Sequence, residues 1–206
     1  MRGPRLIIVT DPAYADDAIL RAIEAASSVV PAGVIGVQLR DKARDVVALR
    51  VFASRLRVLT RAKGAWLVIN GDAKLAKDVG ADGVHLGGGA VSIEEARRIC
   101  GGKSWISIAA HSDGAVRAAA REGADAVLVS PIFAKRPRGV EAIEKARGIA
   151  KTKLVVYALG GVTPTNAGAC VAAGADGVAV IRAILASTDP ASTTRAFAEA
   201  MGVVEC

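Results

Sequence analysis

The chain is 206 residues long, with a net charge of +7, 52% hydrophobic residues and only seven Phe, Trp or Tyr. No apolar stretch reaches the roughly 20 residues that cross a bilayer. Scattered Lys and Arg with so few aromatic rings argue against a stacking platform for nucleic acid. The length suits one domain over residues 1–206, and the basic balance suits small phosphorylated partners.

A first strand is predicted over 5–10 and a helix over 16–30. The apolar run in that strand is too short for a signal-peptide core, so the expected location is the cytoplasm. The second strand covers 34–40. A long amphipathic helix covers 43–62, with Val46, Val47, Leu49, Val51, Phe52, Leu56, Val58 and Leu59 set between arginines. The third strand is 66–70, a short helix 73–79 and the fourth strand 83–86, closed by Gly87, Gly88 and Gly89. Ser92 and Glu95 form a capping box for the next helix.

Strands at 105–109 and 126–130 alternate with helices at 112–122 and 141–150. The last two buried strands are 154–158 and 177–181. Gly160 and Gly161 turn the chain between them, and Thr163 with Pro164 opens a helix. A final helix covers 189–201, and 203–206 is a tail. Eight strands alternating with helices predict an α/β fold, a single (β/α)8 TIM barrel. An open doubly wound sheet fits less well, because no Gly-x-Gly-x-x-Gly follows the first strand.

Three joins repeat: Gly80-Ala81-Asp82, Gly123-Ala124-Asp125 and Gly174-Ala175-Asp176, each leading into a strand. They are expected as equivalent structural turns at the N-terminal end of the barrel. Cys100, Cys170 and Cys206 match no zinc or redox spacing and read as free thiols. No metal-ligand cluster, Ser-His-Asp set or carboxylate pair is visible.

In such a barrel, chemistry gathers where strands end. Gln38, Arg40 and Lys42 alternate onto one side of the second strand's end, which makes an anion clamp. Asn70 ends the third strand, as a ligand contact or as the start of an Asn-Gly turn. His85 and His111 suit either acid/base work or packing. After Ser130, the loop carries Lys135, Arg136 and Arg138, which suit a phosphate or diphosphate. Gly160, Gly161, Ile181 and Arg182 surround the last two strand ends. Bare amides and a helix start there suit a phosphate.

Together these residues make the chain resemble the thiamine phosphate synthase / thiazole tautomerase family over nearly its whole length. The matching segments are Gln38-Leu39-Arg40-Asp41-Lys42, 67–70, 80–87, His111-Ser112, 158–163 and 177–181. The resemblance implies a transferase of thiamine biosynthesis. Hydroxymethylpyrimidine diphosphate loses pyrophosphate, with Mg2+ assisting, and the thiazole phosphate nitrogen captures the pyrimidine carbocation. Strand-end position and resemblance together give Gln38, Arg40, Lys42, Asn70, Ser130, Gly160, Gly161, Ile181 and Arg182 as the expected substrate contacts, with Lys135, Arg138 and His111 expected to be catalytic.

Several family positions differ. The two usual Mg2+ ligands fall on Gly71 and Ala90, a usual serine on Ala109, and the last strand's usual Ser on Arg182. The Thr-x-Thr-Lys loop is rewritten as a shorter cationic one. An Asn-Gly in place of Asn-Asp resembles the tautomerase branch, but that branch's histidine falls on Pro131. The alternatives are therefore a thiazole isomerase, or a non-catalytic barrel that binds thiazole phosphate or thiamine phosphate. Fixed cations at Lys135, Arg136, Arg138 and Arg182 are expected to replace metal charge. A homo-oligomer is left open.

Overall fold

Leu-Ile-Ile-Val at Leu6–Val9 (β1) is buried at all four positions. A strand with neither face wet needs cover on both sides, which a parallel strand wrapped by helices provides. The computed structural model, which describes residues 3–88 and 90–203, repeats this unit eight times. The order is β1, α1 (Asp16–Ser27), β2 (Ile35–Leu39), α2 (Val46–Ala62), β3 (Trp66–Asn70), α3 (Ala73–Asp78), β4 (Gly83–Leu86) and α4 (Ile93–Cys100). Then follow β5 (Trp105–Ala110), α5 (Asp113–Glu122), β6 (Ala126–Val129), α6 (Glu141–Ala150), β7 (Val155–Leu159) and α7 (Pro164–Ala172). The last elements are β8 (Gly177–Val180), α8 (Arg182–Leu185) and α9 (Pro190–Ala200). All strand pairs are parallel and the sheet closes from β8 onto β1, with Leu6 beside Val178. The expected eight-stranded barrel is observed.

Alternation along the strands divides the core in two. Leu6 and Ile8 face the helices, within one large apolar layer. Ile7 and Val9 face the barrel axis with Val68, Ala126, Leu128 and Ala179. Near the N-terminal end Trp105 meets Trp66 and Tyr157 edge-on, at 6.3 and 6.1 Å between centroids. Tyr157 is fully buried and donates from Oη to the Pro4 carbonyl at 2.6 Å.

The two largest differences in helix boundary are at the start of the second helix and the end of the first. The second helix starts at Val46, because Asp45 is its cap and accepts the Ala48 N–H at 2.9 Å. The first ends at Ser27. On α2 the apolar positions do not share one fate. Phe52, Ala53 and Leu56 are buried, while Val46, Val47, Val51 and Val58 are exposed. Cys100 and Cys170 are free thiols, and burial pushes the Cys170 thiol up to about 11. Cys206 and Gly89 lie outside the described residues, as does the tail beyond Val203. No described helix is long and apolar enough to cross a membrane.

Candidate functional site

The strand ends open into two adjoining cavities. The larger, of about 700 Å3, lies over the mouth of the barrel. Gln38, Arg40, Lys42, Asn70, His85 and His111 are on its wall, but Asp41 lines it too: β2 ends at Leu39, and strict alternation does not extend beyond it. Gln38 is buried beneath Arg40. The neighbouring strand fixes Arg40: its N–H donates to Thr10 Oγ1 at 2.8 Å, and that hydroxyl lies 3.2 Å from the Arg40 carbonyl. Thr10 is thus a positioning residue that the sequence did not reveal.

Below Arg40 the chain turns on ion pairs. Arg44 donates to both Asp16 oxygens at 2.7 and 2.9 Å, and through Nε to Asp41 Oδ2 at 2.9 Å. The guanidinium also lies 4.8 Å from the centre of the Phe52 ring. These bonds from Arg44 hold the Asp16 carboxyl below the usual carboxylate range.

His85 sits on the floor. Its Nδ1 is 2.9 Å from Ser107 Oγ, on the residue directly across the β4–β5 ladder. Burial, with Arg40 and His111 nearby, pushes the imidazole down to about 4, so the ring is neutral at pH 7. Only the strand register reveals Ser107 as its partner. His111 stands at the rim, exposed, with Nδ1 3.1 Å from Ser130 Oγ and 3.2 Å from the Ser130 carbonyl.

The smaller cavity, of about 560 Å3, lies at the ends of β7 and β8. Gly161, Thr163 and Arg182 line it, and it shares Leu159, Gly160 and Ile181 with the larger one. Gly161 and Arg182 therefore face one space. The loop after β6 is its roof: Ile132 N–H bonds to Leu159 O at 3.0 Å, and Phe133 N–H to Gly160 O at 2.7 Å. Gly161 has φ +74°, and a Cβ there would stand 2.9 Å from Ala134 N. The turn thus needs glycine for both its dihedral and its space.

Lys135 and Arg138 are not on the walls of either cavity. Lys135 is exposed. Arg138 turns toward α5, where Nη2 donates to Asp113 Oδ1 at 3.2 Å.

A family model described as thiamine monophosphate synthase matches residues 6–184. The chain belongs to the thiamine monophosphate synthase family. It is 37% identical over 185 residues to the thiamine-phosphate synthase of Natronomonas pharaonis, covering 86% of each chain. With that of Gloeobacter violaceus it is 34% identical over 205 residues, covering 97% of this chain and 58% of the relative. Among solved structures, thiamine phosphate pyrophosphorylase from Pyrococcus furiosus superposes with a TM-score of 0.85 at 27% identity. It covers 98% of this chain and 97% of that one. A 3-hexulose-6-phosphate synthase, 18% identical with a TM-score of 0.71, shares the fold.

Family resemblance implies Mg2+, and the donor set of this thiamine monophosphate synthase family member does not fit it. Gly71 and Ala90 line the larger cavity and offer no carboxylate. Asp41 is the only carboxylate on that wall among the described residues. Its Oδ1 accepts the Ala43 and Arg44 N–H groups, each at 3.1 Å, and its Oδ2 accepts Arg44 Nε. Asp72 caps α3 instead, accepting the Leu75 N–H at 2.9 Å. Among the described residues no group of three His, Cys, Asp or Glu could hold a metal ion.

Proposed function

We infer that this chain is a transferase of thiamine biosynthesis. It joins hydroxymethylpyrimidine diphosphate to thiazole phosphate and releases pyrophosphate. The observation that carries this reading is the pair of cavities with a common wall, one edged by Arg40 and Lys42, the other by a glycine turn and Arg182. Two anionic substrates can then meet at Leu159, Gly160 and Ile181.

In this reading Gln38 and Asn70 orient the pyrimidine. Arg40 and Lys42 stabilise charge gathering on the diphosphate as its C–O bond breaks. A neutral His85 leaves the floor without positive charge where the pyrimidine cation forms. Backbone amides at Gly160 and Gly161, with Arg182, hold the thiazole phosphate. Its ring nitrogen then donates its electron pair to the exposed carbon. Lys135 is the loop cation offered to the departing pyrophosphate, and Arg138 positions that loop through Asp113. His111 and Ser130 form the rim pair that handles protons. The same pair supports a second reading, thiazole isomerisation. The enzyme works as one cytoplasmic barrel domain.

The test is to incubate the protein with both precursors and assay for thiamine phosphate. Formation of thiamine phosphate is expected. Tight binding of thiazole phosphate without coupling would sink the transferase reading, and isomerisation of the thiazole would then favour the second.

A further inference from the structure

We propose that this protein binds the diphosphate group through its own cations, without a divalent metal ion. The proposal takes the identity of the anion from the transferase reading; the rest follows from the donors and charges of the larger cavity.

A magnesium site needs hard oxygen donors in octahedral array, normally including one or two carboxylates. At the mouth of the barrel the only carboxylate among the described lining residues, Asp41, is already shared between two backbone N–H groups and Arg44. Freeing it for a metal would break three hydrogen bonds and leave Arg44 with Asp16 alone. Asp72 is committed to the first turn of α3. The donors to a metal that remain on the wall are the amides of Gln38 and Asn70, the Ser130 hydroxyl, two imidazoles and backbone, none of which supplies the carboxylate such a site normally includes. Of the imidazoles, His85 is engaged with Ser107 and His111 with Ser130.

The charge balance runs the same way. Arg40 and Lys42 line the cavity, and among the described residues neither side chain has a carboxylate partner. A bare divalent cation would enter beside two positive charges, which repel it. A diphosphate meets a planar fork and an ammonium, the pair of donors suited to phosphate oxygens. With glycine and alanine at 71 and 90, the lone carboxylate among the described lining residues is Asp41, already neutralised by Arg44, so no bridging cation is required.

The experiment is calorimetric titration of inorganic pyrophosphate into the full chain, once with EDTA and once with Mg2+. Binding in EDTA is expected, with an affinity that Mg2+ changes by less than about threefold. Arg40→Gln and Lys42→Ala, each shown by circular dichroism to be folded, should each weaken it by about tenfold. Absence of binding in EDTA, whether or not Mg2+ restores it, overturns the proposal, as do folded variants that bind as wild type does. Manganese titrated into the free protein and followed by electron paramagnetic resonance should find no site tighter than about millimolar; a micromolar site would overturn it too. Thiamine phosphate formed only with Mg2+ defeats the proposal and leaves the transferase reading standing. Pyrophosphate bound in EDTA, with no product under any condition, keeps the metal-free anion site and removes that reading.

Discussion

Arg57 on α2 and Asp82 before β4 are joined at 2.7 Å, and the same carboxylate accepts the Leu67 N–H at 2.7 Å. The Asp82 N–H returns to the Leu67 carbonyl at 2.8 Å. The side chain thus adds a rung to the β3–β4 ladder and neutralises a guanidinium from the helix outside. Asp125 repeats this with Arg97 and the Ile106 N–H, at 2.9 and 2.8 Å. Asp176 repeats it with Arg147 and the Val156 N–H. These are the three Gly-Ala-Asp joins. Glycine ends the helix with a positive φ, and the aspartate fastens the next strand. Before β2 the sequence has no such aspartate, and there both the Arg5 and Leu6 N–H groups go to Val34 O.

Asp82→Ala should therefore cost stability without touching catalysis. It leaves the Leu67 N–H without an acceptor and Arg57 without its carboxylate, which costs about 2 kcal/mol. For a chain of this length that lowers Tm by about 4–8 °C. Asp82→Asn keeps an acceptor and should lose roughly half as much. Thermal unfolding followed by circular dichroism reads both. A kcat/KM at 25 °C that falls with Tm would show that the N-terminal end of the barrel is coupled to the site.

His85 makes stability depend on pH with a definite sign. Its folded value, about 4, lies below the ordinary 6.5, so the unfolded chain binds the extra proton first. The stabilisation is present above pH 6.5 and is lost as pH falls from 6.5 toward 4. The loss is on the order of 3 kcal/mol. Urea unfolding at pH 7.5, 6 and 4.5 should show wild type losing more than His85→Gln across that window. The Asp16 carboxyl, held low by Arg44, contributes in both proteins and cancels in the difference. Parallel curves for the two proteins would contradict the burial of His85.

Periodicity made the barrel legible, because buried parallel strands and amphipathic helices differ in repeat. It also put Gln38, Arg40 and Lys42 at the C-terminal end of β2, where chemistry gathers, although Arg40 and Lys42 lie past the strand and share their wall with Asp41. The partners of the site residues were not legible in the same way. Ser107 meets His85 only through the register of two strands. Arg44 finds Asp16 across a sequence separation of 28. The path of the loop after β6 carries Arg138 to Asp113, and a count of cations does not encode that path. The exposed valines of α2 follow from how far that helix is rotated on the barrel, which hydropathy alone leaves free.

Arg138 and Asp113 should behave as one unit. Because the guanidinium is tied to α5, removing either partner loosens the same loop. Arg138→Ala and Asp113→Ala should lower kcat/KM alike, by about three- to tenfold, and expose residues 130–140 to protease equally. Arg40→Ala, at the cavity wall, should cost about a hundredfold. If Arg138 instead met the diphosphate directly, its loss would rival that of Arg40, and Asp113→Ala would be mild.

Two glycines with nearly the same dihedral separate backbone strain from site geometry. Gly161 has φ +74° and Gly123 has φ +80°. Alanine at either position pays the left-handed cost of about 1–2 kcal/mol, so both variants should lose similar stability from that source. Around Gly123 nothing lies within 4 Å of the added Cβ. At Gly161 that Cβ presses on Phe133 and on Ala134 N, and the loop held by the Phe133 N–H to Gly160 O bond must move. The Gly160–Gly161 backbone that lines the smaller cavity moves with it. Gly161→Ala should raise KM for thiazole phosphate by about tenfold or more, and Gly123→Ala should leave it unchanged. Steady-state kinetics beside thermal melts reads the split. Equal KM values in the two variants would remove the glycine turn from the phosphate site.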